Sequence, residues 1–146
     1  MKDTILFICL GNICRSPLAE GIAKKMIKER GLALKIDSAG TSSYHSGEAP
    51  CENSIIIAKR HGVDISKQHS RQVTNADFNE QTIIIALDEA NVSSLTSIGY
   101  QDALKLGSFG FNNEDVPDPY YFKGLEGFDK VYKMIESCVI TLLDEL

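Results

Sequence analysis

Apolar and polar residues follow two alternating patterns along this chain. Short apolar runs of strand length predict β-strands at Thr4–Cys9, Ala33–Ser38 and Thr82–Leu87, and a shorter one at Ala103–Leu106. Between these runs apolar residues recur at helical spacing, which predicts helices at Ser16–Arg30, at Cys51–His61 and from the cap Asp88 to about Ser97. A last helix is predicted from about Glu126 onward, and its regular apolar stripe indicates packing against the core.

The alternation of strands and helices predicts an α/β fold. Strands joined through helices imply right-handed crossovers, so we expect a mostly parallel sheet that is covered on both faces. The predicted architecture is a three-layer sandwich with a four-stranded, mostly parallel central sheet, similar to flavodoxin and Rossmann folds. The chain has 146 residues, 43% of them hydrophobic, and no Pro-, Gly- or Ser-rich linker, so residues 1–146 are expected to form a single domain.

The carboxyl ends of the predicted strands carry most of the reactive side chains. Cys9 ends the first strand, Asp88 follows the third, and Asp118 lies in the long loop after the fourth. Ligands of open α/β sheets bind outside the carboxyl ends of the strands. We therefore expect the functional site at this edge of the sheet.

The loop after the first strand has the layout of an anion site. Arg15 follows Cys9 after five intervening residues and stands directly before Ser16-Pro17 and a helix. A strand, a turn and a helix N-terminus in one segment direct backbone N–H groups and the positive end of the helix dipole at one point. The pattern predicts a phosphate site with Cys9 beneath the phosphorus.

Each residue type in this loop suits attack on a phosphate ester. A cysteine surrounded by donors near a guanidinium is held as the thiolate, and it forms a phosphocysteine without a separate base. Arg15 offers a planar fork to two phosphate oxygens, while Gly11 and Asn12 tolerate the turn. Ser16 is expected to cap the helix and to steady the departing thiolate, with Pro17 at the first helical position.

Asp118 is the candidate proton donor to the leaving oxygen. Pro117 and Pro119 flank it and fix the local backbone, which limits the entropy lost in holding the acid over the phosphate. Cys9 and Asp118 also have explanations that involve no catalysis. A cysteine that ends a buried strand is commonly inert, and Asp-Pro is a common turn.

A nine-residue segment, Cys9–Pro17, resembles the signature loop of the low-molecular-weight protein tyrosine phosphatases. The resemblance extends in the same order to Asp37–Thr41, Ser70–Gln72, Leu87–Asn91 and Asp118–Tyr121, and so covers essentially the whole chain. It implies hydrolysis of phosphotyrosine and small aryl phosphates without metal or cofactor. By this resemblance Cys9 is the nucleophile, Arg15 binds phosphate and stabilises the transition state, and Asp118 is the general acid and base.

The resemblance also implies a set of substrate-binding residues. They are the loop residues Leu10, Gly11, Asn12, Ile13, Cys14 and Ser16, with Leu10 on the pocket floor, and the pocket aromatics Tyr44, Tyr120 and Tyr121. Rings beside a deep thiolate favour phosphotyrosine over the shorter phosphoserine. One departure is Gln68, which stands where relatives commonly have a histidine and which we expect to donate to Asn12.

The other cysteines leave alternatives open. Cys14 is either a partner that captures oxidised Cys9 as a disulfide or simply a packing residue. Cys138 is predicted to lie in the core, and Cys51 carries little information. The spacing of the cysteines indicates neither zinc nor a secreted disulfide framework.

Three other functions share parts of this pattern. Arsenate reductases have the same loop but need resolving cysteines near residues 80–90, where this chain has none. A phosphocysteine carrier must preserve its thiophosphate, which Arg15 and Asp118 would endanger. A noncatalytic phosphate-binding module would have no use for the thiol. Nucleotide hydrolysis at a P-loop is excluded as well, because its Gly-Lys-Ser/Thr ending is missing here.

Charge and hydropathy limit the expected partners. A net charge of −5 argues against nucleic acid, and the Lys24, Lys25 and Lys28 cluster is explained most simply as a solvated helix face. No segment approaches the roughly 18 apolar residues of a membrane span, and the first residues lack the features of a signal peptide. We expect a cytoplasmic monomer, with weak dimerisation left open, that acts on a tyrosine-phosphorylated protein.

Overall fold

The computed structural model describes residues 2–119, 122 and 124–146. The described residues form a four-stranded sheet in the order β2-β1-β3-β4, with every neighbouring pair parallel. The strands are β1 (Thr4–Cys9), β2 (Lys35–Gly40), β3 (Thr82–Ala86) and β4 (Leu104–Lys105). The helices are α1 (Arg15–Arg30), α2 (Glu52–Arg60), α3 (Glu89–Ser97) and α4 (Gly124–Asp144), with short 3₁₀ turns at Asn75–Asp77 and Leu106–Ser108. The predicted fold class is confirmed.

The central strand β1 is buried on both faces, which explains its unbroken apolar sequence. On one face Ile5, Phe7 and Cys9 join the larger core, which is completed by α1, α2 and α4. On the other face Leu6 and Ile8 pack in a smaller cluster that includes Leu95 of α3. The sheet is therefore the middle layer of a three-layer sandwich.

The register of the sheet explains the largest difference from the predicted element bounds. The second strand is Lys35–Gly40 rather than Ala33–Ser38, because its residues pair one for one with β1 from Thr4↔Lys35 to Cys9↔Gly40. Pairing with the buried central strand, rather than local apolar content, decides where β2 ends. As a result, β1 and β2 end side by side at the edge where Cys9 lies.

Helix ends follow local backbone chemistry closely. Gly31, with φ 66°, ends α1 in the left-handed conformation, as a glycine there predicts. Asp88 caps α3 by accepting a hydrogen bond from the Asn91 backbone N–H at 2.8 Å. Within the described residues, no helix is both long enough and apolar enough to cross a membrane.

Candidate active site

Cys9 ends the central strand and is almost completely buried, with 3% of its surface exposed. Its sulfur accepts a hydrogen bond from the backbone N–H of Asn12 at 3.3 Å and lies 3.0 Å from the Ser16 hydroxyl oxygen. That hydroxyl oxygen also accepts a hydrogen bond from the Asn12 side chain at 2.7 Å, and toward a Cys9 thiolate, which can only accept, the hydroxyl is the donor. Two donors therefore face the sulfur from within the 9–15 loop and the first turn of α1.

Asn12 holds the loop in shape. Its backbone is left-handed, with φ 56°, a conformation that asparagine adopts more readily than most residues. The side-chain Nδ2 donates to Ser16 and also to the Ser38 hydroxyl of β2 at 2.9 Å, while Oδ1 accepts from the Arg71 backbone N–H at 3.1 Å. The amide thus ties the loop to two other segments of the chain and uses both of its ends.

Gly40 allows the end of β2 to lie directly against the 9–15 loop. A Cβ atom at this position would lie 2.7 Å from the Leu10 carbonyl oxygen, which is too close for any side chain. The following residues are paired with the loop through Thr41 N–H to Cys9 O and Ser42 N–H to Leu10 O, both at 3.0 Å. Glycine is therefore a steric requirement of the loop position.

Arg15 is buried, with 8% exposed, and is oriented by the opposite side of the site. Its Nη1 donates to Asp88 Oδ2 at 2.6 Å and to the Val116 carbonyl at 2.9 Å. Burial opposes the charge, but the Asp88 hydrogen bond and the nearby Cys9 and Asp118 charges raise the pKa of Arg15. The sequence placed Asp88 at this edge of the sheet and as a helix cap, but it gave no sign of the pairing with Arg15, because an ion pair 73 residues apart leaves no local pattern.

The start of α1 differs from the prediction. The helix begins at Arg15, and Cys14 occupies the cap position without a side-chain cap hydrogen bond, so the expected capping role of Ser16 is wrong. Pro17 is the third helical residue rather than the first. It still lies in the first turn, where a missing N–H leaves no helical hydrogen bond unmade. Ser16 is instead available to contact the Cys9 sulfur.

A cavity of about 490 Å³ opens above the 9–15 loop. Its lining brings together the predicted Cys9, Arg15 and Asp118 with other loop residues, namely Leu10, Gly11, Ile13 and Cys14. Asn12 and Ser16 are buried and support the loop. The three residues assigned to chemistry thus share one concave surface.

The rim of the cavity is far more exposed than its base. Tyr44 is 83% exposed and meets the His45 ring edge-to-face, with centroids 4.8 Å apart. Leu10 lines the cavity but is 60% exposed, so it lies at the rim and not on the predicted floor. Tyr120 and Tyr121, the other predicted wall residues, lie outside the described residues.

Two cavity residues, Ser42 and His45, had no role in the sequence interpretation. His45 Cδ2 lies only 3.0 Å from the position a Cβ would take on Gly11, so its ring packs against the loop. Both residues belong to the same polar segment as Tyr44. The sequence signal that could have found them is their position directly after the second strand, at the edge of the sheet where Cys9 lies.

Gln68 does not take the expected role. Its side-chain amide donates to the Pro17 carbonyl at 3.1 Å, whereas the described partners of the Asn12 side chain are Ser16, Ser38 and the Arg71 backbone. The predicted hydrogen bond from Gln68 to Asn12 is therefore wrong. Gln68 instead hydrogen-bonds to the first turn of α1 through the Pro17 carbonyl.

The cysteines differ sharply in surroundings. Cys138 is fully buried in α4, where burial raises the pKa of its thiol to about 11, in keeping with the predicted core position. Cys14 lines the cavity close to Cys9, and the Cys51 backbone N–H donates to the Ile13 carbonyl at 2.7 Å. Both explanations of Cys14, the oxidation partner and the packing residue, stay predictions.

Comparison with known proteins gives one consistent family. The family model described as "Low molecular weight phosphotyrosine protein phosphatase" matches residues 4–146. A low molecular weight phosphotyrosine protein phosphatase of Saccharomyces cerevisiae is 38% identical over 92% of this chain and 89% of its own length. YfkJ of Bacillus subtilis, named a low molecular weight protein-tyrosine-phosphatase, is 37% identical over the same shares.

The solved structures agree with the sequence comparison. A protein tyrosine phosphatase from Entamoeba histolytica, solved with Hepes in its active site, superposes with a TM-score of 0.90 at 35% identity. The match covers 99% of this chain and 96% of that one.

Proposed function

The chain belongs to the low molecular weight phosphotyrosine protein phosphatase family, and we propose that it hydrolyses phosphotyrosine in proteins, and small aryl phosphates, through a phosphocysteine intermediate on Cys9. The observation that carries this proposal is the buried Cys9 sulfur, which faces donors from Asn12 and Ser16 at the base of a cavity shared with Arg15 and Asp118. The membership makes a tyrosine-phosphorylated protein the expected partner.

In the first step the Cys9 thiolate attacks phosphorus while the bond to the phenolic oxygen breaks. Asp118, placed in the same cavity, gives its proton to the departing oxygen, so that tyrosine leaves as the neutral phenol. The backbone N–H of Asn12 and the Ser16 hydroxyl supply hydrogen bonds that stabilise the thiolate before attack. No separate base is needed.

Arg15 is positioned for the equatorial oxygens of the transferring phosphoryl group. Both Nη1 hydrogens are used by Asp88 and the Val116 carbonyl, which fixes the plane of the guanidinium. In the described part of the chain, Nε and Nη2 have no hydrogen-bonding partner, so this edge is available for two phosphate oxygens. Prior fixation by Asp88 lowers the entropy cost of reaching the transition state.

In the second step water attacks the phosphocysteine and the sulfur–phosphorus bond breaks. Asp118, now a carboxylate, accepts the proton of the attacking water, and Cys9 leaves as the thiolate. The Ser16 hydroxyl, 3.0 Å from the sulfur, stabilises the negative charge that returns to it. Inorganic phosphate is released and the starting protonation states are restored.

The depth of the nucleophile gives the selectivity. Because Cys9 is 3% exposed while Tyr44 at the rim is 83% exposed, a phosphate must enter on a long, flat group to reach the sulfur. A tyrosine ring has that length, and Tyr44 and His45 offer it aromatic contact. A phosphoserine side chain is too short to reach.

Replacement of the nucleophile tests the proposal. We expect Cys9→Ser to lower turnover of p-nitrophenyl phosphate by roughly 10⁴-fold or more, since an alcohol in this site is not ionised. Binding of inorganic phosphate, measured by titration calorimetry, should persist. Cys51→Ser, which alters a half-buried cysteine that does not line the cavity, is the matched control and should stay active. Near wild-type turnover by Cys9→Ser would refute the assignment.

A further inference from the structure

A line of polar contacts connects the solvent-exposed side of α1 to the Cys9 sulfur. The Lys24 ammonium lies 2.5 Å from one Glu20 oxygen, and the Ser38 hydroxyl donates to the other oxygen at 2.5 Å. Ser38 is also the residue that accepts a hydrogen bond from Asn12, whose backbone N–H faces Cys9. A surface lysine is thus four contacts away from the nucleophile.

Glu20 is an unusual member of this line because it is buried. Only 6% of its surface is exposed, and an ionised carboxylate in that position costs free energy unless charge and hydrogen bonds compensate it. Lys24 supplies the charge from one turn along the helix, with half of its own side chain in solvent. Lys24, Lys25 and Lys28 are all exposed, as predicted for a solvated face, but Lys24 also pairs with the buried Glu20.

An ionised Glu20 fixes the direction of the hydrogen bonds that follow. A carboxylate only accepts, so the Ser38 proton must point to Glu20, and the Ser38 lone pairs are left to receive the Asn12 amide. Ser38 on Nδ2 and the Arg71 backbone N–H on Oδ1 together orient the amide, with Nδ2 also donating to Ser16.

The orientation of the amide reaches the sulfur through Ser16. Ser16 accepts a hydrogen bond from Asn12, and toward a Cys9 thiolate, which can only accept, it donates its own. A hydrogen-bond chain thus runs from Glu20 through Ser38, Asn12 and Ser16 to the Cys9 sulfur.

We propose that Lys24 and Glu20 are positioning residues of the active site: Lys24 holds the Glu20 side chain through an ion pair, and Glu20 accepts the Ser38 hydrogen bond at the start of the line that ends on the Cys9 sulfur. This inference rests on the proposed function, in which the Cys9 thiolate is the nucleophile. Neither residue touches the substrate, since neither lines the cavity. Their effect is on how well the thiolate is stabilised.

Other charged groups near this line act on different atoms. The Arg71 guanidinium binds Asp37 and Asp77. The hydrogen bond from Arg71 to Asn12 comes from the Arg71 backbone N–H. Arg15 and Asp118 line the cavity together with Cys9 and do not belong to this line of contacts. Changing Lys24 therefore alters the line from Glu20 without removing these groups.

The test compares Lys24→Met with two matched variants. We expect Lys24→Met to lower kcat roughly 3- to 10-fold with KM for p-nitrophenyl phosphate almost unchanged, a size typical of residues that act through others. The pH midpoint of inactivation by iodoacetate, which reports ionisation of the Cys9 thiol, should move upward. Lys24→Arg, which keeps the charge, should restore both values.

Lys28→Met controls for a general effect of positive charge, because Lys28 is exposed one turn further along the same helix. It should leave kcat and the alkylation midpoint at wild-type values. If Lys24→Met is folded by circular dichroism and matches wild type in both readouts, or if Lys28→Met reproduces its effect, the inference is wrong. Failure of the proposed function would appear differently, as a wild-type protein without turnover.

Discussion

The base and the rim of the cavity are constructed in opposite ways. At the base, Cys9, Asn12 and Arg15 are each less than one-tenth exposed. The side chains of Asn12 and Arg15 have hydrogen-bonding partners in other segments of the chain, and the Cys9 carbonyl accepts from Thr41. At the rim, Tyr44 and Leu10 are mostly exposed and Asp118 is half-buried. The base is preorganised before a substrate arrives, whereas the rim is open to solvent.

This difference separates two tasks. Charge that develops during phosphoryl transfer is stabilised best by donors that need no reorganisation, so the base must be rigid. Recognition of an aromatic side chain on a protein requires access and contact area, which exposed rings provide. Substitutions at the base should therefore reduce kcat, and substitutions at the rim should act mainly on KM.

The strongest test of the base is Arg15→Lys. A lysine keeps a positive charge but cannot hold Asp88 and two phosphate oxygens in one plane, so we expect kcat to fall about 10³-fold. Binding of inorganic phosphate should weaken far less, and calorimetry of the same variant measures that separately. A variant with wild-type kcat would show that the planar fork is unnecessary, and that the rigid base does not explain catalysis.

Asp118 links the base to the rim, and Asp118→Asn tests it. The variant cannot give a proton to the leaving oxygen, so turnover of phenyl phosphate should fall about 10²- to 10³-fold. The loss should be smaller for p-nitrophenyl phosphate, whose leaving group needs less protonation.

The pH profile gives a second readout for Asp118. Because the proposed first step takes a proton from residue 118, any decline of wild-type kcat toward alkaline pH should be reduced in the variant. If Asp118→Asn lost turnover equally for phenyl phosphate and p-nitrophenyl phosphate, Asp118 would not be the acid that protonates the leaving oxygen.

The rim should be the most tolerant region. Tyr44→Leu removes the ring that borders the cavity and meets His45, and we expect KM for a phosphotyrosine peptide to rise roughly 3- to 10-fold with kcat nearly constant. Tyr44→Phe, which keeps the ring, is the control and should resemble wild type. A large fall in kcat for Tyr44→Leu would mean that the rim also organises the base.

The sequence predicted the fold, and it predicted that Cys9, Arg15 and Asp118 meet at one edge of the sheet, because both follow from local patterns. The continuous apolar run of β1, the glycine after α1 and the Asp88 cap each lie within a few residues of the structure they specify. Cys9, Arg15 and the loop between them lie in one short segment of the sequence. These features need no knowledge of distant contacts.

Apart from the start of α1, which the sequence placed one residue too late, the missed contacts and bounds depend on distant partners. The bounds of β2 were set by pairing with β1, Arg15 pairs with Asp88 across 73 residues, and Ser38 accepts from Asn12 across 26. Gln68 went to the Pro17 carbonyl because the tertiary packing of α1 brought that acceptor nearer. Periodicity and spacing carry no information about which partner a side chain meets after folding.

Gly40 limits how this protein can change over generations. In a library that randomises residues 38–46, position 40 should return glycine almost alone, while position 44 should accept many side chains under the same selection. New substrate preferences would then arise from substitutions at exposed positions around the cavity entrance, such as Tyr44, while Gly40 at the end of β2 stays unchanged.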